Sequence, residues 1–160
     1  MHPAFVASHS DAVPIWFATA DTYSSVAGAF EPALRAAVEA LGFEPRPGRL
    51  AVVPGHAARP AAVVFGLDAP NAPAGDRFLP GKLPTLLPPG TYRFANSPRD
   101  VRLAALSFAL GSYRFARYKK VEREPVLLAV PEGVDAAELT RAADAVALAR
   151  DLINTPANDM

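Results

Sequence analysis

A chain of 160 residues, 51% hydrophobic and 20% charged, has the length and composition of one globular domain and not of a disordered segment. It has no cysteine, which excludes a disulfide framework, a thiolate metal site and a cysteine nucleophile, and it has no run of ~18 apolar residues that could cross a membrane. The formal net charge is zero, although residues 93–123 carry +6 and residues 124–160 carry −5, and this balance argues against a dedicated nucleic-acid binder.

Apolar runs bounded by turn residues predict about five strands. These strands are expected at residues 13–18, 50–54, 61–66, 91–95 and 126–130. The link 55–60 is short and polar, which predicts that the strands on either side of it are antiparallel. Helical spacing of apolar residues predicts helices near 32–41, 98–116 and 135–153, with a helical turn near 78–87. Because helical crossovers favour parallel strands, the expected fold is α/β, with a mixed sheet flanked by helices.

Two of these helices carry start signals in the sequence. Ser97 is predicted to cap the second helix, with Pro98 at its first position. Asp135 and Glu138 have the spacing of a capping box at the start of the third helix. Directly after that helix, residues 154–160 form a turn-prone run on which a domain seldom ends, so we expect the chain to continue into a further domain.

Side chains that could support catalysis are scattered along the chain. A metal site needs convergent ligands, but His2, His9 and His56 lie in separate predicted loops, and each is expected to be solvated. Asp68 and Asp76 flank a loop rich in proline and glycine, where we expect them to form turns and not an acid–base pair. The sequence has neither the Gly-x-Ser-x-Gly pattern of a serine hydrolase nor a glycine-rich phosphate loop.

One segment interleaves cations with aromatic rings. Residues 114–120 read Arg-Phe-Ala-Arg-Tyr-Lys-Lys, a combination that occurs in nucleic-acid contacts. The same combination is expected at the C-terminus of a helix, where cations complement the helix dipole and the last carbonyl groups. We favour the helix-end interpretation, and the acidic stretch 132–144 offers partners for these cations.

Two motifs, in the expected order, resemble a known family. The run Arg-Asp-Leu-Ile-Asn-Thr-Pro-Ala-Asn at residues 150–158 is similar to the Arg-Asp-Leu-x-Asn-x-Pro-x-Asn junction of the cytosolic leucyl aminopeptidases, the M17 metallopeptidases, where it ends a linker helix and begins the catalytic domain. Residues 111–119 are similar to the Gly-x-Tyr-x-Phe-x-x-Tyr-Lys stretch of that family's N-terminal domain. The resemblance covers residues 13–160 and is clearer after residue 91.

The resemblance implies three parts: a compact, macro-domain-like N-terminal α/β domain over residues 1–134, a linker helix over 135–153, and the start of a catalytic domain over 154–160. We expect the junction motif to lead the chain into that catalytic domain, with no partners within this chain for its last polar residues. The motif residues are Arg150, Asp151, Asn154, Pro156 and Asn158. No catalytic, metal-binding or cofactor-binding residue carries over to this chain, so we expect it to be inactive alone.

The parent protein implied by the resemblance is an aminopeptidase that uses two zinc or manganese ions and forms a homo-hexamer. Two other interpretations remain open. A macro-type module that binds ADP-ribose or a related nucleotide would need a phosphate loop, and a DNA-binding module would need surplus positive charge; the sequence has neither. Residues 1–5 lack the features of a signal peptide, so we expect a cytoplasmic protein that does not contact a membrane.

Overall fold

The centre of the domain is a six-stranded sheet in the computed structural model, which describes residues 2–7, 10–57, 59–118 and 124–156. The strands are β1 (Phe5–Val6), β2 (Val13–Ala18), β3 (Leu50–Pro54), β4 (Pro60–Gly66), β5 (Gly90–Phe94) and β6 (Val126–Ala129). Their order across the sheet is β1-β6-β5-β2-β4-β3, and all neighbours are parallel except β3 and β4, which are antiparallel. The expected α/β fold with a mixed sheet is therefore confirmed.

Helices cover both faces of this sheet. They are α1 (Tyr23–Gly28), α2 (Pro32–Ala40), α3 (Leu83–Leu86), α4 (Val101–Ser112) and α5 (Ala136–Asn154), with a 3₁₀ turn at Leu79–Lys82. Val38 of α2 joins Val64 of β4 in one apolar cluster, whereas Phe108 of α4 and Leu139 of α5 join Phe65 of β4 in another. Because successive side chains of a strand point to opposite faces, the two clusters form separate layers on the two sides of the sheet.

The two start signals in the sequence have different outcomes. Asp100, and not Ser97, caps α4, because its Oδ1 accepts the N–H of Leu103 at 2.8 Å. Asp135 caps α5 as predicted, by accepting the N–H groups of Ala137 and Glu138. Glu138 does not complete a capping box; its carboxylate pairs with Arg102, which ties the first turns of α4 and α5 together.

The late start of α4 follows from how the preceding strand ends. The side chain of Asn96 continues the hydrogen bonding of β5 to β2. Its Oδ1 accepts the N–H of Phe17 at 2.8 Å, and its Nδ2 donates to the carbonyl of Phe17 at 2.9 Å. These bonds satisfy backbone groups of the central strand β2 that β5 does not reach. With Asn96 held on the sheet, the chain turns away over residues 97–100, and the helix begins only after them.

The first residues of the chain are part of the fold, which the sequence did not predict. β1 pairs with β6, and His2 just before it is buried, with 7% of its surface exposed. The backbone N–H of His2 donates to Thr140 Oγ1 of α5 at 3.0 Å, and its Nδ1 accepts the N–H of Ala4 at 3.2 Å. The expectation of a solvated His2 is therefore wrong. His56 is exposed as expected, and His9 lies outside the described residues.

Candidate domain-junction site

The two sequence motifs meet where α4 ends beside the C-terminal half of α5. Tyr113 is the residue that directly follows α4, and its hydroxyl donates to Asp151 Oδ1 at 2.7 Å. Asn154 Nδ2 donates to the same hydroxyl at 3.3 Å. Loss of solvent and the hydrogen bond to Asp151 raise the pKa of Tyr113 above its usual 10.0, so the hydroxyl keeps its proton. One phenolic group thus joins both motifs.

Arg150 makes a second connection between the same two segments. Its Nη1 donates to the carbonyl of Leu110 at 2.7 Å, in the last turn of α4. Carbonyls in the last turn of a helix lack an intrahelical partner, so this bond satisfies a group that the helix leaves open. The guanidinium also lies over the ring of Tyr113, with 5.3 Å between its Cζ and the ring centroid, where the ring's electrons attract the cation.

The contacts continue past the end of α5. Thr155 is buried, its Oγ1 donates to the carbonyl of Asp151 at 2.7 Å, and Arg117 Nη1 donates to that Oγ1 at 3.2 Å. Asn154 also has a partner in Tyr113, so the expectation that the end of the motif lacks partners within this chain is wrong for these two residues. Pro156 is exposed, and Asn158 lies outside the described residues.

The basic segment lies beyond a helix and not within one, because α4 ends at Ser112. Arg114 Nη1 donates to the carbonyls of Gly111 and Tyr113, at 3.3 and 2.9 Å, which is the kind of contact that the helix-end interpretation predicts. Residues 119 and 120 lie outside the described residues. In the acidic stretch, Glu138 pairs with Arg102 of α4 and not with a cation of this segment.

The C-terminal half of α5 points its polar side toward the domain and its apolar side away from it. The buried residues of α5 are Leu139 and Ala143, both in its N-terminal half. C-terminal to Ala143, the helix binds the domain through polar contacts of Arg150, Asp151 and Asn154. The large apolar side chains of this half are exposed: Val146 by 37%, Leu148 by 61%, Leu152 by 54% and Ile153 by 82%.

A cavity of about 480 Å³ lies between the loop after β4 and the first turn of α4. Asp68 and Asp76 line it, and both carboxylates accept backbone N–H groups within this loop. Asp68 Oδ2 accepts the N–H of Asp76 at 3.0 Å, and Asp76 Oδ1 accepts the N–H of Phe78 at 2.8 Å. Asp76 therefore forms a turn as predicted, whereas Asp68 closes the loop of residues 68–76 instead of forming a local turn.

The described residues hold neither a cluster of metal ligands nor a helix that could cross a membrane. Within residues 2–7, 10–57, 59–118 and 124–156, no group of three or more His, Asp or Glu side chains could hold a metal ion. In the same part of the chain, no helix has the length and apolar character needed to span a membrane.

The α/β layers and the contact between the two motifs agree with the family that these motifs resemble. The family model described as the M17 aminopeptidase N-terminal domain matches residues 13–131, which is most of the chain. The chain therefore belongs to the M17 aminopeptidase family, as its N-terminal domain. This family is metal-dependent. The nucleotide-binding and DNA-binding interpretations are not favoured.

Solved structures agree with this assignment. Cytosol aminopeptidase from Coxiella burnetii is 26% identical with a TM-score of 0.79, and the match covers 98% of this chain and 34% of that one. The bottromycin maturation enzyme BotP is 28% identical with a TM-score of 0.58, over 92% of this chain and 34% of that one. A mutant tomato leucine aminopeptidase, 13% identical with a TM-score of 0.58, shares the fold over 98% of this chain and 39% of its own.

No curated protein sequence matches the chain. The chain spans only about a third of the length of the Coxiella burnetii and BotP chains that it matches.

Proposed function

We propose that this chain serves as the non-catalytic N-terminal domain of a metal-dependent leucyl-type aminopeptidase, an enzyme that removes N-terminal residues from peptides. The observation that carries the proposal is the hydrogen bond between Tyr113 and Asp151, since it brings the motif of the N-terminal domain onto the motif of the domain junction. The similarity to cytosol aminopeptidase over 98% of this chain supports the same function.

In this proposal, residues 1–134 form the N-terminal domain, 135–153 the linker helix, and 154–160 the start of the catalytic domain. Arg150, Asp151 and Asn154 hold the end of the linker helix on α4, through their contacts with Leu110 and Tyr113. Pro156 stops the helix from continuing, because proline has no N–H to donate and its ring clashes with the preceding turn.

Asn158, in the same proposal, binds backbone groups where the chain enters the catalytic domain, as asparagine commonly does in turns. The parent enzyme holds two divalent ions, zinc or manganese, in its catalytic domain, acts in the cytoplasm and assembles as a homo-hexamer.

The test compares two proteins: this chain alone, and the same chain continued into its catalytic domain. Both are assayed for hydrolysis of leucine p-nitroanilide with added manganese or zinc. We expect turnover by the longer protein that a chelator abolishes, and none by the 160-residue chain. Chelator-sensitive turnover by the pure 160-residue chain, or a metal-loaded longer protein that cleaves no aminoacyl substrate, would contradict the proposal.

A further inference from the structure

Four exposed apolar residues form a continuous stripe along the outer side of α5. Ala145, Leu148, Ala149 and Leu152, here called the α5 stripe, follow the spacing i, i+3, i+4 and i+7, which places them on one face of a helix. All four are exposed, whereas this spacing normally marks the face of a helix that is buried. The pattern therefore predicts a buried face that nothing within the described chain covers.

The contacts to α4 fix this stripe on the side away from the domain. A helix turns ~100° per residue, so Arg150 and Asn154 lie about 200° from Leu148 and Leu152 respectively. Arg150 and Asn154 both bind the end of α4, through Leu110 and Tyr113. Rotating the stripe toward the domain would break these contacts. The polar contacts thus set the rotation of α5 about its own axis.

The exposure is concentrated on this helix. Of the eight large apolar side chains that are exposed in the described residues, four lie within the last two and a half turns of α5, and two of these, Leu148 and Leu152, belong to the α5 stripe. The others are dispersed over separate elements, for example Leu41 after α2 and Leu86 at the end of α3. Single exposed apolar residues are ordinary on protein surfaces, but a clustered set marks an interaction site.

We propose that the α5 stripe is the docking surface for the catalytic part of the same polypeptide, an inference that rests on the proposed function. The stripe ends four residues before Pro156, and the matched relatives have chains about three times as long, so the rest of such a chain starts beside this surface. Ala145 and Ala149 have small side chains that let a neighbouring backbone approach closely, while Leu148 and Leu152 supply apolar area.

The test measures how accessible the stripe is to a thiol reagent. Leu148→Cys and Leu152→Cys are made in the longer protein and in the 160-residue chain, and maleimide labelling of each site is followed by peptide mass spectrometry. Leu41→Cys is the matched control, because Leu41 is also exposed, by 44%, but follows α2 on the other face of the sheet. The 160-residue chain has no cysteine of its own, so there the label reports only the introduced site.

We expect the two stripe sites to react at least about tenfold more slowly than the control in the longer protein, because a docked surface reacts only when it opens. In the 160-residue chain the three sites should react at similar rates. Equal rates in the longer protein would overturn the proposal. Protection in the 160-residue chain that grows with its concentration would also overturn it, because a second copy would then be the occupant.

The labelling experiment needs no turnover, so it separates this inference from the proposed function. If the longer protein protects the stripe but cleaves no aminoacyl substrate, the docking surface is supported and the proposed function is contradicted. An active aminopeptidase whose stripe reacts like the control would do the reverse.

Discussion

The backbones of Gly111 in α4 and Gly81 in the 3₁₀ turn approach so closely that neither position has space for a Cβ atom. A Cβ on Gly111 would overlap the carbonyl oxygen of Gly81, and a Cβ on Gly81 would lie 2.8 Å from the carbonyl oxygen of Ser107. The pair lets α4 lie directly on the segment that leads from β4 to β5. Gly111 is also the first residue of the Gly-x-Tyr motif, so close packing explains that position of the motif.

Gly111→Ala is therefore expected to cost about 1–3 kcal/mol through overpacking. The preference of helices for alanine over glycine, about 1 kcal/mol, offsets part of this cost, so we expect a smaller net loss of stability. Urea unfolding measures the difference. The control is Gly28→Ala at the end of α1, where a Cβ meets nothing within 4 Å and stability should be unchanged or higher. Equal unfolding midpoints for the two variants would show that the close contact is not required.

Tyr113→Phe removes the hydroxyl that joins the two motifs while keeping the ring under Arg150. We expect amide hydrogen exchange in the last two turns of α5 to become several-fold faster, because the hydroxyl no longer donates to Asp151 or accepts from Asn154. Tyr23→Phe is the control, since the ring of Tyr23 packs on Phe43 far from α5. If both variants leave exchange in α5 unchanged, the hydroxyl does not hold the helix.

The two candidate caps of α4 can be separated by mutation. Asp100→Ala should lower the free energy of unfolding by about 1 kcal/mol, because the N–H of Leu103 loses its acceptor. Ser97→Ala should leave stability nearly unchanged, since Ser97 is exposed and lies three residues before the cap Asp100. Thermal unfolding of both variants is the measurement. A larger loss from Ser97→Ala would restore the start predicted from the sequence.

Acid should weaken the fold through His2. Burial lowers the pKa of its imidazole below 6.5, the N-terminal ammonium lowers it further, and the Asp144 carboxylate opposes them. The pKa is thus lower in the folded than in the unfolded chain. The stability that neutral His2 contributes is therefore complete above about pH 6.5 and is lost as the pH falls through the folded-state pKa.

Urea unfolding between about pH 7 and pH 5 tests this, with His2→Gln as the variant that cannot titrate. Wild-type stability should fall more steeply toward acid than that of His2→Gln. Proton NMR of the histidine rings provides a direct check on the pKa of His2. Parallel stability curves for the two proteins would mean that His2 does not titrate on unfolding in this range.

Much of the sheet could be predicted from local patterns alone. β2 and β3 lie where the apolar runs 13–18 and 50–54 were found, because a continuous apolar run is what a strand covered by helices requires. β1 could not be found in this way. A strand of two residues is too short to show periodicity. Phe5 is in a strand because it pairs with Leu128 of β6, which lies far along the chain.

The sequence indicated which residues belong to the junction motif, but not which atoms they contact. The resemblance grouped Arg150, Asp151 and Asn154 in one motif, but it did not predict their partners Leu110 and Tyr113 within this chain. Tyr113, the residue that binds Asp151, lies 38 positions earlier in the chain. A motif shows which residue types occur together and not which atoms they contact. The sequence also could not predict that one side of α5 is exposed in this chain. Apolar helical spacing predicts a buried face, but it does not show which surface covers that face.

The burial of His2 affects the order in which the parts of the chain fold. The segment around Phe5 is among the last to reach its position, since Phe5 pairs with Leu128 and the N–H of His2 binds Thr140, 138 residues later. β2, β3 and β4 can pair once residue 66 has emerged, whereas β1 must wait for β6 and α5. Residues 2–6 therefore fold late, together with β6 and α5, and a nascent chain that stalls before residue 140 leaves His2 without its partner Thr140.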